Sequence, residues 1–263
     1  MNPPRLIRLF ASNAVFSFRA QFDWLYPPMW ITMKLVLTLS QMSFFVFVGE
    51  YAHLNVAYIA IGNAIQTMSW NTVFSVINIT GQDKWGGTLP LLLATPAPRL
   101  PVFVGRAMIH IFDGMLSVAI SFAFATLLFG VNLGNANVLA LVIVVFLTAF
   151  TMSGFGLLIG GFSFHFRNPM VFANIFTFIL LIFCGVNFPV SSLPQVLQPI
   201  SYIFPLTYGI NAGRLTISGA TLTDVSLQLG QMLIVGFIAM FVGYALFRLF
   251  ENMARKTGRL EAE

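Results

Sequence analysis

Eleven of the thirteen Lys and Arg residues fall into four groups separated by long apolar runs. The groups are Arg5, Arg8 and Arg19; Lys84, Arg99 and Arg106; Arg167; and Arg248, Arg255, Lys256 and Arg259. A bilayer core about 30 Å thick needs roughly 20 apolar residues of helix, at about 1.5 Å rise per residue. Six runs meet that requirement, at 27–48, 54–79, 101–129, 138–162, 169–188 and 226–248. With the N-terminus inside, all four basic groups face the cytoplasm, where Lys and Arg remain because they resist translocation. The opposite connections, near Glu50–His53 and Asn132–Asn137, carry no Lys or Arg, and Arg214 is the one external exception.

Composition agrees with that class. The chain is 58% hydrophobic and only 8% charged, with a mean hydropathy of +0.87, whereas soluble domains carry about 25% charged residues. The net charge of +5 is therefore a topology signal and not a nucleic-acid footprint. The single Cys184 excludes an intramolecular disulfide and reads as a small buried hydrophobe. The expected architecture is an all-α, multi-pass protein of the cell (inner) membrane, one transmembrane domain over 1–263, with both termini cytoplasmic.

Three segments outside the spans add detail. In the arm 1–26, Leu6, Leu9, Phe10, Phe16, Phe18 and Phe22 are interrupted by Arg8, Ser12, Asn13 and Arg19. No continuous apolar h-region exists, so a signal peptide is not indicated; a helix lying in the lipid interface is, with Trp24, Tyr26 and Trp30 at headgroup level. The second segment, 81–100, is a polar, Gly- and Pro-punctuated island whose run Leu89 to Leu93 is too short to span. It reads as a lateral cytoplasmic helix ready for a cytosolic partner. The third follows the fifth span. Residues 168–213 form 46 consecutive uncharged positions containing Pro189, Pro194, Pro199 and Pro205. Proline removes a backbone donor and clashes with the preceding turn. A seventh span would also carry the C-terminal basic group outside. The consistent reading is a helical pair over 189–216 that enters the outer leaflet and returns, which requires protein or a water-filled cavity around it.

Gly87-Thr88-Leu89, then Leu92, Thr95-Pro96, Arg99 and Gly105-Arg106, resemble the cytoplasmic loop of the type-2 permeases of ATP-binding-cassette exporters. Gly185 to Pro189, Ser191 to Pro194, and Phe204 to Tyr208 followed by Arg214 are similar to the same family. One departure is Pro90, where the family usually has an acidic residue. The resemblance implies a transport subunit that pairs with a second permease, a copy or a paralogue, within membrane lipid. It also implies a separate ATP-binding-cassette ATPase, which binds ATP and Mg and drives amphipathic, drug-like, lipid or lipid-linked cargo outward. Asp83, Lys84, Gly87, Thr88, Leu89, Leu92, Leu93, Thr95, Pro96 and Arg99 would form the ATPase-coupling loop. Phe188, Pro189, Leu193, Pro194, Pro205, Tyr208 and Arg214 would form the re-entrant gate.

The chain has no phosphate-binding loop: Lys34, Lys84 and Lys256 all lack the required glycine pattern. No catalytic, metal-binding or cofactor-binding residue is indicated. Among intramembrane polar residues, Arg106, His110 and Asp113 recur near i, i+4 and i+7 on one helix face. They suit an internal Arg106–Asp113 pair or a proton relay, because unpaired charges there cost several kcal/mol. Lys34 can snorkel to headgroups or pair internally. Arg214 can anchor the re-entrant element to phosphates or to carbonyls. Gly154, Gly156, Gly160 and Gly161 suit close helix packing. An ion-coupled secondary transporter is the alternative function, although no internal repeat supports it. An intramembrane enzyme lacks a motif, since Ser163 and His165 lie two apart and cannot face one another on a helix.

Overall fold

The computed structural model describes Ser12, residues 27–74, Ile77, and residues 99–163 and 169–257. Among these the chain is helical, with no strand. The elements are α1 (Pro27–Tyr51), α2 (Val56–Ser69) running into a π turn (Trp70–Phe74), α3 (Arg99–Phe129) and α4 (Val138–Ser163). They continue with α5 (Pro169–Phe183), a 3₁₀ turn (Val190–Ser192), α6 (Gln198–Ser201), α7 (Pro205–Ile217) and α8 (Ser226–Thr257). Apart from Ser12, which is helical, the arm 1–26 lies outside the described residues, and so does the island 81–98.

Local chemistry sets the helix ends. Asn55 and Asn137 cap α2 and α4, their side chains accepting from Tyr58 N at 3.0 Å and Ala140 N at 3.1 Å, which satisfies amide groups that have no partner inside the helix. α3 stops at Gly130, whose φ of 65° lets Val131 N turn back to Ala125 O at 3.0 Å, a closure that suits glycine.

Among the described residues, four helical stretches are long and apolar enough to cross a membrane: Pro28–Tyr51, His110–Phe129, Val138–Gly160 and Ser226–Leu246. α5 is shorter than the expected span 169–188; it has 15 residues and ends at Phe183, because Gly185 turns the chain at φ 70°. The expected helix 54–79 is likewise divided, 14 residues of α-helix giving way to the π turn. Between residues 184 and 217 the chain forms turns and three short helices, the longest being the 13-residue α7. That is well short of the roughly 20 residues a span requires.

α2 is the axis of the bundle. From Ile59 to Ser69 all but one of its residues are buried, between α1, α3 and α7. α8 packs most closely on α4, where small residues permit the approach: a Cβ on Gly154 would stand 3.1 Å from Gly236 O and 3.2 Å from Met240 Cβ. Of the glycines expected to favour packing, Gly154 thus has a defined partner helix. α1 lies outermost and buries one stripe, Lys34, Thr38, Met42 and Val46, while Leu37, Phe44 and Phe47 are exposed. Four-residue spacing places such a stripe on one helix face.

Candidate functional site

Polar side chains gather at the two ends of α2 and form two separate clasps. Tyr58 belongs to one and Asn71 to the other, 13 positions or roughly 20 Å apart along the helix.

The first clasp is built on Arg214, in the last turn of α7. Its Nη1 donates to Gly185 O at 2.9 Å, and its Nη2 donates to Val186 O and to Tyr58 O, each at 3.0 Å. The guanidinium also lies over the Tyr58 ring, 3.4 Å from its centroid, a favourable placement of a cation on an aromatic face. Beside it, Asn63 Nδ2 donates to Asn187 Oδ1 at 2.8 Å. Gly62 sits where α2 meets the turn after α5, and a Cβ there would collide with Val186 O and with the Arg214 side chain. Arg214 therefore ties α7, α2 and the end of α5 together through carbonyls, one of the two modes of anchoring expected from the sequence.

The other residues expected to form a gate stand along the same connection. Phe188 is half-buried and Pro189 exposed; Pro189 O accepts from Ser192 N at 2.9 Å. Leu193 O accepts from Gln198 Nε2 at 2.9 Å, and Pro194 O accepts from Leu197 N at 2.8 Å. Pro205 opens α7, while Tyr208 Oη donates to Tyr202 O at 3.0 Å. These residues shape the turns, while the Arg214 side chain hydrogen-bonds across to α2.

The second clasp is an ion pair. Lys34 Nζ on α1 lies 2.6 Å from Asp113 Oδ1 on α3, and the two side chains are 6% and 10% exposed. The same ammonium donates to Asp113 O at 3.1 Å and to Ser117 Oγ at 2.7 Å, so each of its three protons has an acceptor. It also lies 4.8 Å from the Trp30 ring centroid. Ser117 Oγ donates to Asp113 O at 3.1 Å and accepts from Asn71 Nδ2 at 2.9 Å. Asn71 belongs to the π turn, a helix form that is rare and frequent at functional sites. Three segments thus meet on one hydroxyl.

Asp113 pairs with Lys34 from a neighbouring helix, the internal pairing that the sequence left open for Lys34; the expected Arg106–Asp113 pair depends on a side chain outside the described residues. The side chains of Arg99 and Arg106 lie outside the described residues, as do Asp83, Lys84, Gly87, Thr88, Leu89, Leu92, Leu93, Thr95 and Pro96. His110 is buried one turn before Asp113. Tyr58, Asn63, Asn71, Ser117 and the pair Gln41–Gln66, whose amides meet at 2.9 Å midway along α2, were not singled out beforehand. Their signal is a polar side chain inside an apolar run.

The bundle and its clasps describe an integral membrane protein with a polar frame at both ends of its central helix. The chain belongs to the ABC-2 type transporter family of membrane permeases, whose sequence profile matches residues 19–218 and so takes in both clasps. It is similar to the linearmycin resistance permease protein LnrN of Bacillus subtilis (strain 168), with 24% identity over 171 residues, 64% of this chain and 43% of that protein. It is also similar to nodulation protein J of Neorhizobium galegae, with 33% identity over 69 residues, 26% of each chain. The chain thus spans less than half the length of either relative. Members of this family are transport subunits that work with an ATP-binding subunit.

Proposed function

We propose that this chain is the transmembrane subunit of an ATP-binding-cassette exporter and moves a drug-like, amphipathic, lipid or lipid-linked substrate outward. The observation that carries the reading is the family match across residues 19–218. The word resistance in the name of one relative supports outward movement of a toxic molecule. A separate ATPase holds ATP and Mg and docks on the 81–100 loop. Two permease chains, identical or paralogous, complete the complex in the cell membrane. Six crossings, with α2 plus its π turn and the short α5 included, leave both termini in the cytoplasm and place 189–216 at the external mouth. The charge distribution supports that orientation.

The test is co-expression with the candidate ATPase, followed by affinity purification and a survival assay against a panel of amphipathic antibiotics. Wild type should retain the ATPase and raise tolerance to at least one compound. Leu92→Asp should lose the ATPase while remaining in the membrane. Retention of the ATPase by Leu92→Asp would overturn the docking assignment, and an unchanged tolerance profile in cells carrying wild type would count against export of this cargo class.

A further inference from the structure

The Ser117 hydroxyl occupies an unusual position in the bundle. It accepts from Lys34 on α1 and from Asn71 in the π turn, and it donates to the Asp113 carbonyl on its own helix. The π turn and α3 are the two ends between which residues 75–98 run in sequence. α1 itself packs on α2 and α3 and buries only its one stripe, so its first half is fastened through Lys34. Gly114 brings the π turn close at this level, since a Cβ there would stand 3.1 Å from Thr72 Cγ2 and 3.4 Å from Met68 O.

We infer that Ser117 is a positioning residue for transport, the joint through which movement of the π turn and α3 is passed to α1. The inference rests on the export reading, which supplies an ATPase beneath the chain. A buried ion pair alone would hold α1 against α3. The hydroxyl adds the π turn to the same joint, so the three segments move together. A π turn can relax toward α-helical hydrogen bonding, which rotates the residues on it and would withdraw Asn71 from Ser117. Packed elements switch between discrete arrangements instead of deforming continuously, and a joint of this kind links one arrangement to another.

The experiment uses the complex with its ATPase in lipid nanodiscs. A bimane fluorophore is attached at Leu37→Cys, an exposed α1 position, in a Cys184→Ser background. Emission is compared without nucleotide and after trapping with ATP and vanadate. The parent should change its emission on trapping. Ser117→Ala and Asn71→Ala should keep the bound ATPase and its basal hydrolysis yet lose the emission change, and Ser117→Thr, which retains a hydroxyl, should recover it. An unaltered change in both alanine variants overturns the inference, as does a parent that binds the ATPase and shows no change. Loss of the ATPase from both alanine variants also overturns it, because the joint would then serve the fold. A parent that fails to bind the ATPase sinks the export reading itself.

Discussion

The two clasps on α2 hold a cation in opposite ways. Arg214 is held by three backbone carbonyls and a ring, its Nε having no hydrogen-bond partner among the described residues, whereas the buried Lys34 is satisfied by a carboxylate, a carbonyl and a hydroxyl. Carbonyls cannot be removed by substitution, so the first clasp depends on backbone positions: the turn at Gly185, and the close approach at Gly62. The ion pair of the second is made by side chains from two helices and can be replaced as a unit. Breaking a buried ion pair leaves an uncompensated charge, while exchanging both partners for apolar residues is often neutral. The first clasp should therefore have no rescuing partner substitution, and the second should have one.

The largest expected effect comes from Asp113→Leu, which leaves the Lys34 ammonium without its counter-charge. The loss should be about 3–5 kcal/mol, read as early aggregation in a thermal scan of detergent-solubilised protein by fluorescence size exclusion. Lys34→Met combined with Asp113→Leu should return most of that stability. If the double variant melts no later than Asp113→Leu alone, the pair is not a replaceable unit and the contrast fails.

Arg214→Met should cost somewhat less, about 1.5–3 kcal/mol in all, because the site is only half-buried and water can reach part of the vacated carbonyls. Arg214→Lys should recover only part of it, because an ammonium cannot reproduce the planar fork that reaches Gly185, Val186 and Tyr58 together. Full recovery by lysine in the same thermal scan would mean that charge alone matters there. Asn63→Leu, which deletes the bond to Asn187, should cost on the order of 1 kcal/mol. Combined with Arg214→Met it should act non-additively, since both substitutions loosen the turn after α5.

The smallest effect belongs to Asp224, in the exposed turn before α8, where Thr221 N and Oγ1 donate to Oδ2 at 2.8 and 2.7 Å. The Thr221 side-chain and backbone hydrogen bonds hold its carboxyl below the usual carboxylate range. A depressed folded-state value stabilises above the unfolded value and is lost as pH falls through the folded one. Asp224→Asn should thus melt with wild type at acidic pH and marginally earlier at neutral pH. A gap that widens on acidification would contradict this assignment.

What the sequence by itself determined is local. Apolar runs of bilayer length specified long helices, and four of the stretches expected to span are long and apolar enough to do so. Four prolines ruled out one long helix between α5 and α8, because each removes a donor wherever it stands. The motifs around Gly87, Gly185 and Phe204 indicated the family. What tertiary structure decided is which distant groups meet. Lys34 and Asp113 are 79 positions apart, and no periodicity along either helix links them. Arg214 found its acceptors in backbone carbonyls, which every residue carries and no residue letter distinguishes. The π turn, packed against α3 at Gly114, belongs with them. Where helices must pack closely around α2, hydrogen bonds and steric contact across the bundle set the final turns, and those contacts do not exist until the chain has folded.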